Sequence, residues 1–207
     1  ALMTKEKDID VSILLTASHN PWSDGGFNLV TKEGAIAPPS VTKKVAQNIV
    51  DYAKKGVYTT DKRKRGNVIE TFPYDMYKEQ LNSYNLIDWD AIRNAGISIY
   101  YDDLKGTGGN VFPRLLKEYN IPNNPVISAR KEGPNPTDAN LTEVKDYIKA
   151  DQSELKVGLA NDGDADRFGL IDEKGNFITP NDVILLVAHH LANNKGLKGD
   201  IVRSQAT

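Results

Sequence analysis

The sequence predicts an α/β protein with mixed, largely parallel sheets and helices on both faces of those sheets. Apolar runs of strand length alternate along the chain with longer stretches whose apolar residues recur every three to four positions. Such alternation builds layered α/β folds, because each helix covers the sheet formed by the strands beside it. The hydrophobic and charged fractions, 39% and 26%, are those of a soluble globular protein.

Six short apolar segments, bounded by polar residues or glycine, are predicted to be strands. They span residues 11–15, 97–101, 125–128, 156–160, 168–172 and 200–203. Between them, four stretches have the periodicity of amphipathic helices. They are a helix capped by Ser40 and ended by Gly56, one over 111–119, one after a cap at Thr137 or Asp138, and one from Val183 to Gly196.

Bulk properties narrow the class of protein. The 207 residues suffice for one large domain or two small ones, and the net charge of −2 gives no field that attracts nucleic acid or a membrane surface. No apolar run reaches the roughly 20 residues of a bilayer span. The absence of cysteine excludes disulfides and thiolate metal sites and is typical of a reducing cytoplasm. We therefore expect a cytoplasmic protein without a nucleic-acid or membrane partner.

A polar, basic stretch over residues 54–67, KKGVYTTDKRKRGN, interrupts the alternation. Its charges are not interleaved with aromatic residues, so a solvated linker is favoured over a nucleic-acid patch. We place one domain boundary here and a second near 177–180. Strand patterns lie close to both ends of the chain, so we expect it to be part of a larger protein.

Three aspartates, Asp162, Asp164 and Asp166, alternate with small residues between two predicted strands. In extended backbone, alternate side chains share a side, and three carboxylates placed together repel unless a cation lies between them. Oxygen ligands without histidine or cysteine suit a hard ion, Mg²⁺ or Ca²⁺. Arg167 follows at once, and a forked cation beside a metal site indicates a phosphate oxygen as a shared ligand.

Two other interpretations of the aspartates are weaker. An EF-hand loop beginning at Asp162 would end at Glu173, but Arg167 stands where that loop requires glycine. An acidic surface turn is common chemistry, yet three aspartates in five residues within an apolar frame are unusual for a turn alone. Metal binding is therefore favoured.

A second polar cluster follows the first predicted strand. Thr16, Ser18, His19 and Asn20 stand where the strand ends, the place where open α/β sheets carry catalytic groups. A lone serine there is usually a cap or turn residue, but its neighbours weaken that interpretation. Because the Gly-x-Ser-x-Gly pattern is missing, a hydrolase triad is not supported.

The two clusters together, TASHNP at 16–21 and DGDADR at 162–167, resemble the α-D-phosphohexomutase family, the phosphoglucomutases and phosphomannomutases. Three further fragments resemble the same family in the right order. They are DLKGTGG at 103–109, GPNPT at 133–137 and IVRS at 201–204.

The resemblance implies an intramolecular phosphotransferase, an isomerase that interconverts hexose 1-phosphate and hexose 6-phosphate through hexose 1,6-bisphosphate. Ser18 would be the phosphoserine that gives and takes the phosphoryl group. The implied cofactor is Mg²⁺, and its implied ligands are Asp162, Asp164, Asp166 and an oxygen on Ser18.

The resemblance also implies contacts with the substrate. Arg167 would offset phosphoryl charge, His19 and Asn20 would position the phosphate or the incoming hydroxyl, and Arg203 would touch the substrate. Family members carry a lysine, a candidate acid or base, where this chain has Asn28. Asparagine cannot exchange a proton in that way, which leaves Lys32 or His19 as alternatives.

Because the family has four domains, the chain is expected to supply the end of domain 1 with the phosphoserine loop (1–66), domain 2 with the metal-binding loop (67–178) and the start of domain 3 (179–207). Without the later sugar- and phosphate-binding loops, it is expected to be inactive alone. Two other functions are alternatives. One is a non-catalytic divalent-cation-binding module. The other is an Asp-x-Asp transferase acting on nucleotide sugars, for which 106–109 lacks the G-x-G-x-x-G spacing. The sequence does not predict the oligomeric state.

Overall fold

The computed structural model describes residues 3–4, 7–21, 23–56, 66–127 and 133–202. The described residues form two compact units. The first consists of Ala1–Thr16 and Gly26–Glu79, and the second of Ala17–Gly25 and Gln80–Thr207. The segment Ala17–Gly25, called the serine loop below, therefore belongs to the second unit although its neighbours in sequence belong to the first.

The first unit contains a β-hairpin and a long helix. Strand β1 (Val11–Leu15) pairs antiparallel with β2 (Phe27–Thr31), and helix α1 (Pro39–Lys55) follows. The helix ends at Gly56, as predicted, because glycine adopts the positive φ of 95° found there. Its N-cap is Pro38 instead of the predicted Ser40. Pro39 can occupy the first turn because it has no N–H group to leave unsatisfied.

The second unit contains a five-stranded sheet and its helices. The first of these helices, α2 (Tyr74–Ser83), begins in the first unit and ends in the second, because the division falls between Glu79 and Gln80. In chain order the elements are α2 (Tyr74–Ser83), α3 (Trp89–Ala95), β3 (Ser98–Asp102), α4 (Phe112–Glu118), β4 (Asn123–Pro125), α5 (Thr142–Ala150), β5 (Lys156–Asn161), β6 (Phe168–Ile171), β7 (Phe177–Ile178) and α6 (Pro180–His189). Short 3₁₀ turns cover Thr107–Asn110 and Asp138–Asn140, and a π-helical turn covers His190–Asn194.

The sheet is mixed, as predicted. Its order is β4-β3-β5-β6-β7, with β3 parallel to β4 and β5, and β6 antiparallel to β5 and β7. Because β3 and β5 are parallel, with Asp102 opposite Ala160, the segments that follow them leave from the same edge of the sheet. Both segments contain motifs identified in the sequence, DLKGTGG at 103–109 after β3 and DGDADR at 162–167 after β5.

Helices cover both faces of this sheet. Val144 and Ile148 of α5, both 0% exposed, belong to a core cluster against which Tyr100 packs, whereas Leu116 of α4 clusters with Ile99. Tyr100 and Ile99 are neighbours on β3, so their side chains point to opposite faces. The prediction of helices on both faces is therefore confirmed.

Several element boundaries differ from the sequence prediction. Strand β4 lies at Asn123–Pro125, before the predicted 125–128, because backbone pairing with β3 defines it and not side-chain polarity; Ser128 lies outside the described residues. Asp200–Val202 form no strand, since no described strand pairs with them. Strands β2 and β7 and helices α2 and α3 were not predicted. Within the described residues, no helix is long and apolar enough to cross a membrane.

Candidate functional site

The turn between β5 and β6, residues 162–167, brings the three predicted aspartates together; it is called the aspartate loop below. Asp162 is buried, Asp164 is half-buried and Asp166 is exposed, and one carboxylate oxygen from each lies within 4.8 Å of the others. Two oxygens on opposite sides of one ion are about 4 Å apart around Mg²⁺ and about 5 Å apart around Ca²⁺. The three side chains can therefore share a single divalent ion.

Asp162 uses its two carboxylate oxygens differently. Its Oδ1 accepts hydrogen bonds from the backbone N–H groups of Asp166 at 3.0 Å and Arg167 at 2.9 Å, so it holds the loop in shape. Its Oδ2 is buried and accepts no hydrogen bond from the described residues, and Arg167 Nε lies 3.8 Å away. A buried carboxylate oxygen in this state fits a metal ligand, because a bound cation would satisfy it.

The electrostatics of the aspartate loop also favour a cation. Burial raises the pKa of Asp162, and the charges of Asp164 and Asp166 raise it further, against the lowering effect of the two backbone hydrogen bonds. Three ionised carboxylates at this separation are mutually unfavourable without a counter-charge. A divalent ion would remove that repulsion, so the donor set and the local charge both fit a hard metal.

The serine loop places Ser18 in an unusual backbone conformation. Its φ is +53°, in the left-handed region that residues other than glycine seldom adopt. The turn is closed by a hydrogen bond from the Asn20 N–H to the Ala17 carbonyl at 3.1 Å. Ser18 and His19 are half-buried and Asn20 is exposed. The Ser18 hydroxyl lies 3.4 Å from His19 Nδ1, a long contact that brings an imidazole to the hydroxyl.

Two glycines let the serine loop lie against its neighbours. A Cβ on Gly163, inside the aspartate loop, would stand 2.6 Å from the Ser18 carbonyl oxygen. A Cβ on Gly133 would stand 2.6 Å from the His19 carbonyl oxygen. Both distances are too short for any side chain, so only glycine permits these approaches. The backbone of Ser18 is thus in direct contact with the loop that carries the aspartates.

The segment after β3, residues 103–109 and called the glycine turn below, packs on the aspartate loop from the sheet edge. A Cβ on Gly106 would lie 2.7 Å from the Asp162 carbonyl oxygen. The backbone N–H of Thr107 donates to the Gly163 carbonyl at 3.0 Å, and its hydroxyl donates to the same oxygen at 3.3 Å. Three separate segments of sequence therefore meet at one place.

Of the remaining predicted site residues, Arg167 lies in the aspartate loop itself, with an exposed side chain. Arg203 lies outside the described residues. Lys32 forms an ion pair with Asp8 at 2.8 Å and follows β2 in the first unit. Its role as the replacement for the lysine expected at Asn28 stays a prediction.

Sequence reasoning assigned no role to Gly106, Gly133 or Asn161, which the structure places at or beside the aspartate loop. The first two stand in fragments that carry the family resemblance, and this was the available signal. Their contact distances depend on how three loops meet, which no local pattern encodes.

Two models of one protein family match this chain. The model of phosphoglucomutase/phosphomannomutase α/β/α domain I matches residues 1–55, and that of α/β/α domain II matches residues 75–175. The first match contains the whole serine loop and the strand β1 before it, and the second contains the aspartate loop.

Curated relatives carry mutase names. The phosphoglucosamine mutase of Methanococcus aeolicus is 30% identical over 213 residues, which cover 97% of this chain and 45% of that protein. The phosphoglucomutase of Komagataeibacter xylinus is 24% identical over 206 residues, covering 92% of this chain and 37% of that protein. The chain spans less than half the length of these relatives.

A solved structure has the same fold. The phosphoglucomutase/phosphomannomutase family protein from Burkholderia thailandensis matches with a TM-score of 0.66 and 24% identity, over 90% of this chain and 39% of that one. A likeness at this identity shows the fold, and the two family models cover most of the chain. The chain belongs to the phosphoglucomutase/phosphomannomutase family, the α-D-phosphohexomutases.

Proposed function

We propose that this chain carries the phosphoserine and the metal-binding loop of a phosphohexomutase, which interconverts hexose 1-phosphate and hexose 6-phosphate through hexose 1,6-bisphosphate. The observation that carries the proposal is the contact of the Ser18 backbone with Gly163, inside the aspartate loop. Phosphoryl transfer needs a nucleophile beside a group that neutralises phosphoryl charge. The mutase names of the relatives support hexose phosphates as the substrate class.

We propose Mg²⁺ as the ion, held by Asp162, Asp164, Asp166 and an oxygen of the phosphorylated Ser18. The all-oxygen donor set and the unsatisfied Oδ2 of Asp162 support a hard cation. The chemistry that this ion supplies when bound is withdrawal of charge from the phosphoryl oxygens.

The first transfer breaks the bond between Ser18 Oγ and phosphorus and forms a bond from phosphorus to a hydroxyl oxygen of the hexose phosphate. That hydroxyl loses its proton, and Ser18 Oγ gains one. His19 is the proposed carrier because its Nδ1 lies 3.4 Å from Oγ. Arg167 would offset phosphoryl charge and Asn20 would orient the incoming hydroxyl. Return of the other phosphate of the bisphosphate to Ser18 completes the exchange.

We also propose the domain limits given above, with 1–66 from domain 1, 67–178 as domain 2 and 179–207 from domain 3. The family-model matches at 1–55 and 75–175 lie inside the first two segments and support this division. On this division, the sugar-recognition and distal phosphate-binding loops lie in parts of the family fold that the chain does not include. We expect negligible mutase turnover from the chain alone.

We also propose a cytoplasmic location, which the absence of cysteine supports.

Replacement of the serine tests this function in the full-length protein that contains the chain. Ser18→Ala should abolish turnover, measured by coupling glucose 6-phosphate formation to a dehydrogenase. It should also remove the mass increase of about 80 Da that one phosphoryl group adds to the Ser18 peptide. Ser23→Ala is the matched control, because its exposed hydroxyl lies in the same loop and contacts only Asp24 among the described hydrogen-bond partners. Full turnover by Ser18→Ala would refute the assignment.

A divalent-cation-binding module without catalysis is the second candidate. The 4.8 Å spread of the carboxylate oxygens also suits Ca²⁺, and this observation favours it. Calorimetry separates the two. Tight Ca²⁺ binding that phosphorylation of Ser18 does not change would support the module, and Mg²⁺ binding that strengthens on phosphorylation would support the mutase.

A further inference from the structure

Asn161 is the last residue of β5 and immediately precedes the aspartate loop. Its side-chain amide makes two hydrogen bonds: Nδ2 donates to the Arg167 carbonyl at 2.8 Å, and Oδ1 accepts from the Tyr101 hydroxyl at 3.1 Å. A carbonyl oxygen only accepts, so the amide nitrogen must face Arg167 and the amide oxygen must face the phenol. The two partners together therefore fix the orientation of the amide.

The Asn161 side chain, which precedes the aspartate loop, is hydrogen-bonded to the last residue of that loop, Arg167. The backbone N–H of Asp162 also points to the Arg167 carbonyl, but at 3.4 Å, so the shorter bond comes from the Asn161 side chain. Arg167 is consequently held at both ends of its backbone: its N–H donates to Asp162 Oδ1 at 2.9 Å, and its carbonyl accepts from Asn161. The position of Arg167 in turn fixes the carboxylate of Asp162.

Tyr101 connects the Asn161 side chain to the glycine turn. A Cβ on the buried Gly108 would overlap the Tyr101 hydroxyl, so the phenol is enclosed between the glycine turn and Asn161. Burial raises the pKa of Tyr101, and the charges of Asp103 and Asp102 raise it further. The phenol therefore stays protonated and remains a hydrogen-bond donor.

We infer that Asn161, oriented by Tyr101, is a positioning residue for the metal site: it sets the Arg167 backbone and thereby holds Asp162 ready to bind the ion. This inference rests on the proposed function, because it takes the three aspartates to be metal ligands. Residues that orient metal ligands without touching the metal typically change affinity by about 10–100-fold when they are replaced.

The test measures Mn²⁺ binding to the full 207-residue chain by calorimetry, together with the melting temperature without metal. Asn161→Leu removes both hydrogen bonds without adding charge and should weaken Mn²⁺ binding tenfold or more. Tyr101→Phe removes one hydroxyl, keeps the ring, and should weaken binding by about threefold, the effect of one hydrogen bond. In the double variant, the Tyr101→Phe effect should disappear, because the amide that it orients is gone.

Asn82→Leu is the matched control. Its Nδ2 donates to the Tyr119 hydroxyl at 2.7 Å and its Oδ1 accepts from Trp89 Nε1 at 3.1 Å, so it is also an amide with two hydrogen-bond partners, one of them a tyrosine hydroxyl, and none of these residues belongs to the aspartate loop, the serine loop or the glycine turn. It should lower the melting temperature and leave Mn²⁺ affinity unchanged. If Asn161→Leu fails to fold, Tyr101→Phe still decides the question. Wild-type affinity in both site variants would overturn this inference alone, whereas failure of the wild-type chain to bind Mn²⁺ would overturn the proposed metal site as well.

Discussion

Gly133→Ala should displace the serine loop without touching the aspartates. The added Cβ would lie 2.6 Å from the His19 carbonyl oxygen and 2.7–2.8 Å from the Asn20 carbonyl carbon and oxygen. Carbon and oxygen approach to about 3.3 Å in weak C–H···O contacts, so the loop must move by about 0.7 Å. All three atoms are backbone, and no flexible side chain can give way. Overpacking of this kind costs about 1–3 kcal/mol.

The expected result is a loss of function larger than the loss of stability. A 1 Å misplacement of a reacting group lowers the rate by about 100-fold, so phosphoryl transfer from Ser18 should fall at least tenfold. The melting temperature should fall by about 2–4 °C for each kcal/mol. Single-turnover transfer from the phosphorylated full-length protein to glucose 1-phosphate measures the first quantity, and calorimetry measures the second.

Gly25→Ala is the control for this substitution. Gly25 lies in the same loop, nothing stands within 4 Å of an added Cβ, and its φ is not in the left-handed region. It should therefore transfer phosphate at the wild-type rate. Equal transfer rates in Gly133→Ala and Gly25→Ala would refute the reasoning that close backbone approach positions Ser18.

Three more predictions concern charge and packing. Asp162→Asn should raise the melting temperature of the metal-free chain, because burial and the neighbouring carboxylates disfavour the charged form, and should abolish the stabilisation that added Mg²⁺ gives in a thermal shift assay. Ile148→Ala, at a position with 0% exposure, should cost about 2–5 kcal/mol in urea unfolding. Backbone and side-chain hydrogen bonds from Ser153 lower the pKa of Asp151 to about 2. The stability that ionised Asp151 contributes is therefore fully present above the pKa of an unfolded aspartate, about 3.9, and is lost as the pH falls towards 2. Asp151→Asn should reduce the dependence of the melting temperature on pH in that range.

The sequence predicted those elements whose own residues encode them. The apolar runs of β1, β5 and β6 and the glycine after α1 each carry a local signal, and the structure has those elements at or within a residue of the predicted limits. Strand β4 was misplaced because Asn123–Pro125 has no apolar pattern and becomes a strand only by pairing with β3.

For the candidate site, the sequence predicts which side chains take part, and it does not predict the backbone contacts around them. The alternation of Asp162, Asp164 and Asp166 indicates shared coordination on chemical grounds alone, and the structure places their oxygens together. The approaches at Gly133 and Gly163 depend on the contact of segments about 115–145 positions apart, as counted along the printed sequence, and no periodicity reports such a contact.

The two oxygens of the Asp162 carboxylate differ, since Oδ1 binds the backbone of the loop and Oδ2 is left for a cation, and this difference affects how an ion would bind. Because Oδ1 accepts hydrogen bonds from two backbone N–H groups, the shape of the loop is held by hydrogen bonds within the chain. Binding then needs little ordering of the chain, and the entropy loss that accompanies coupled folding is small. The entry rate should be limited by how fast the ion sheds its own hydration water, which Mg²⁺ releases reluctantly, and not by rearrangement of the protein.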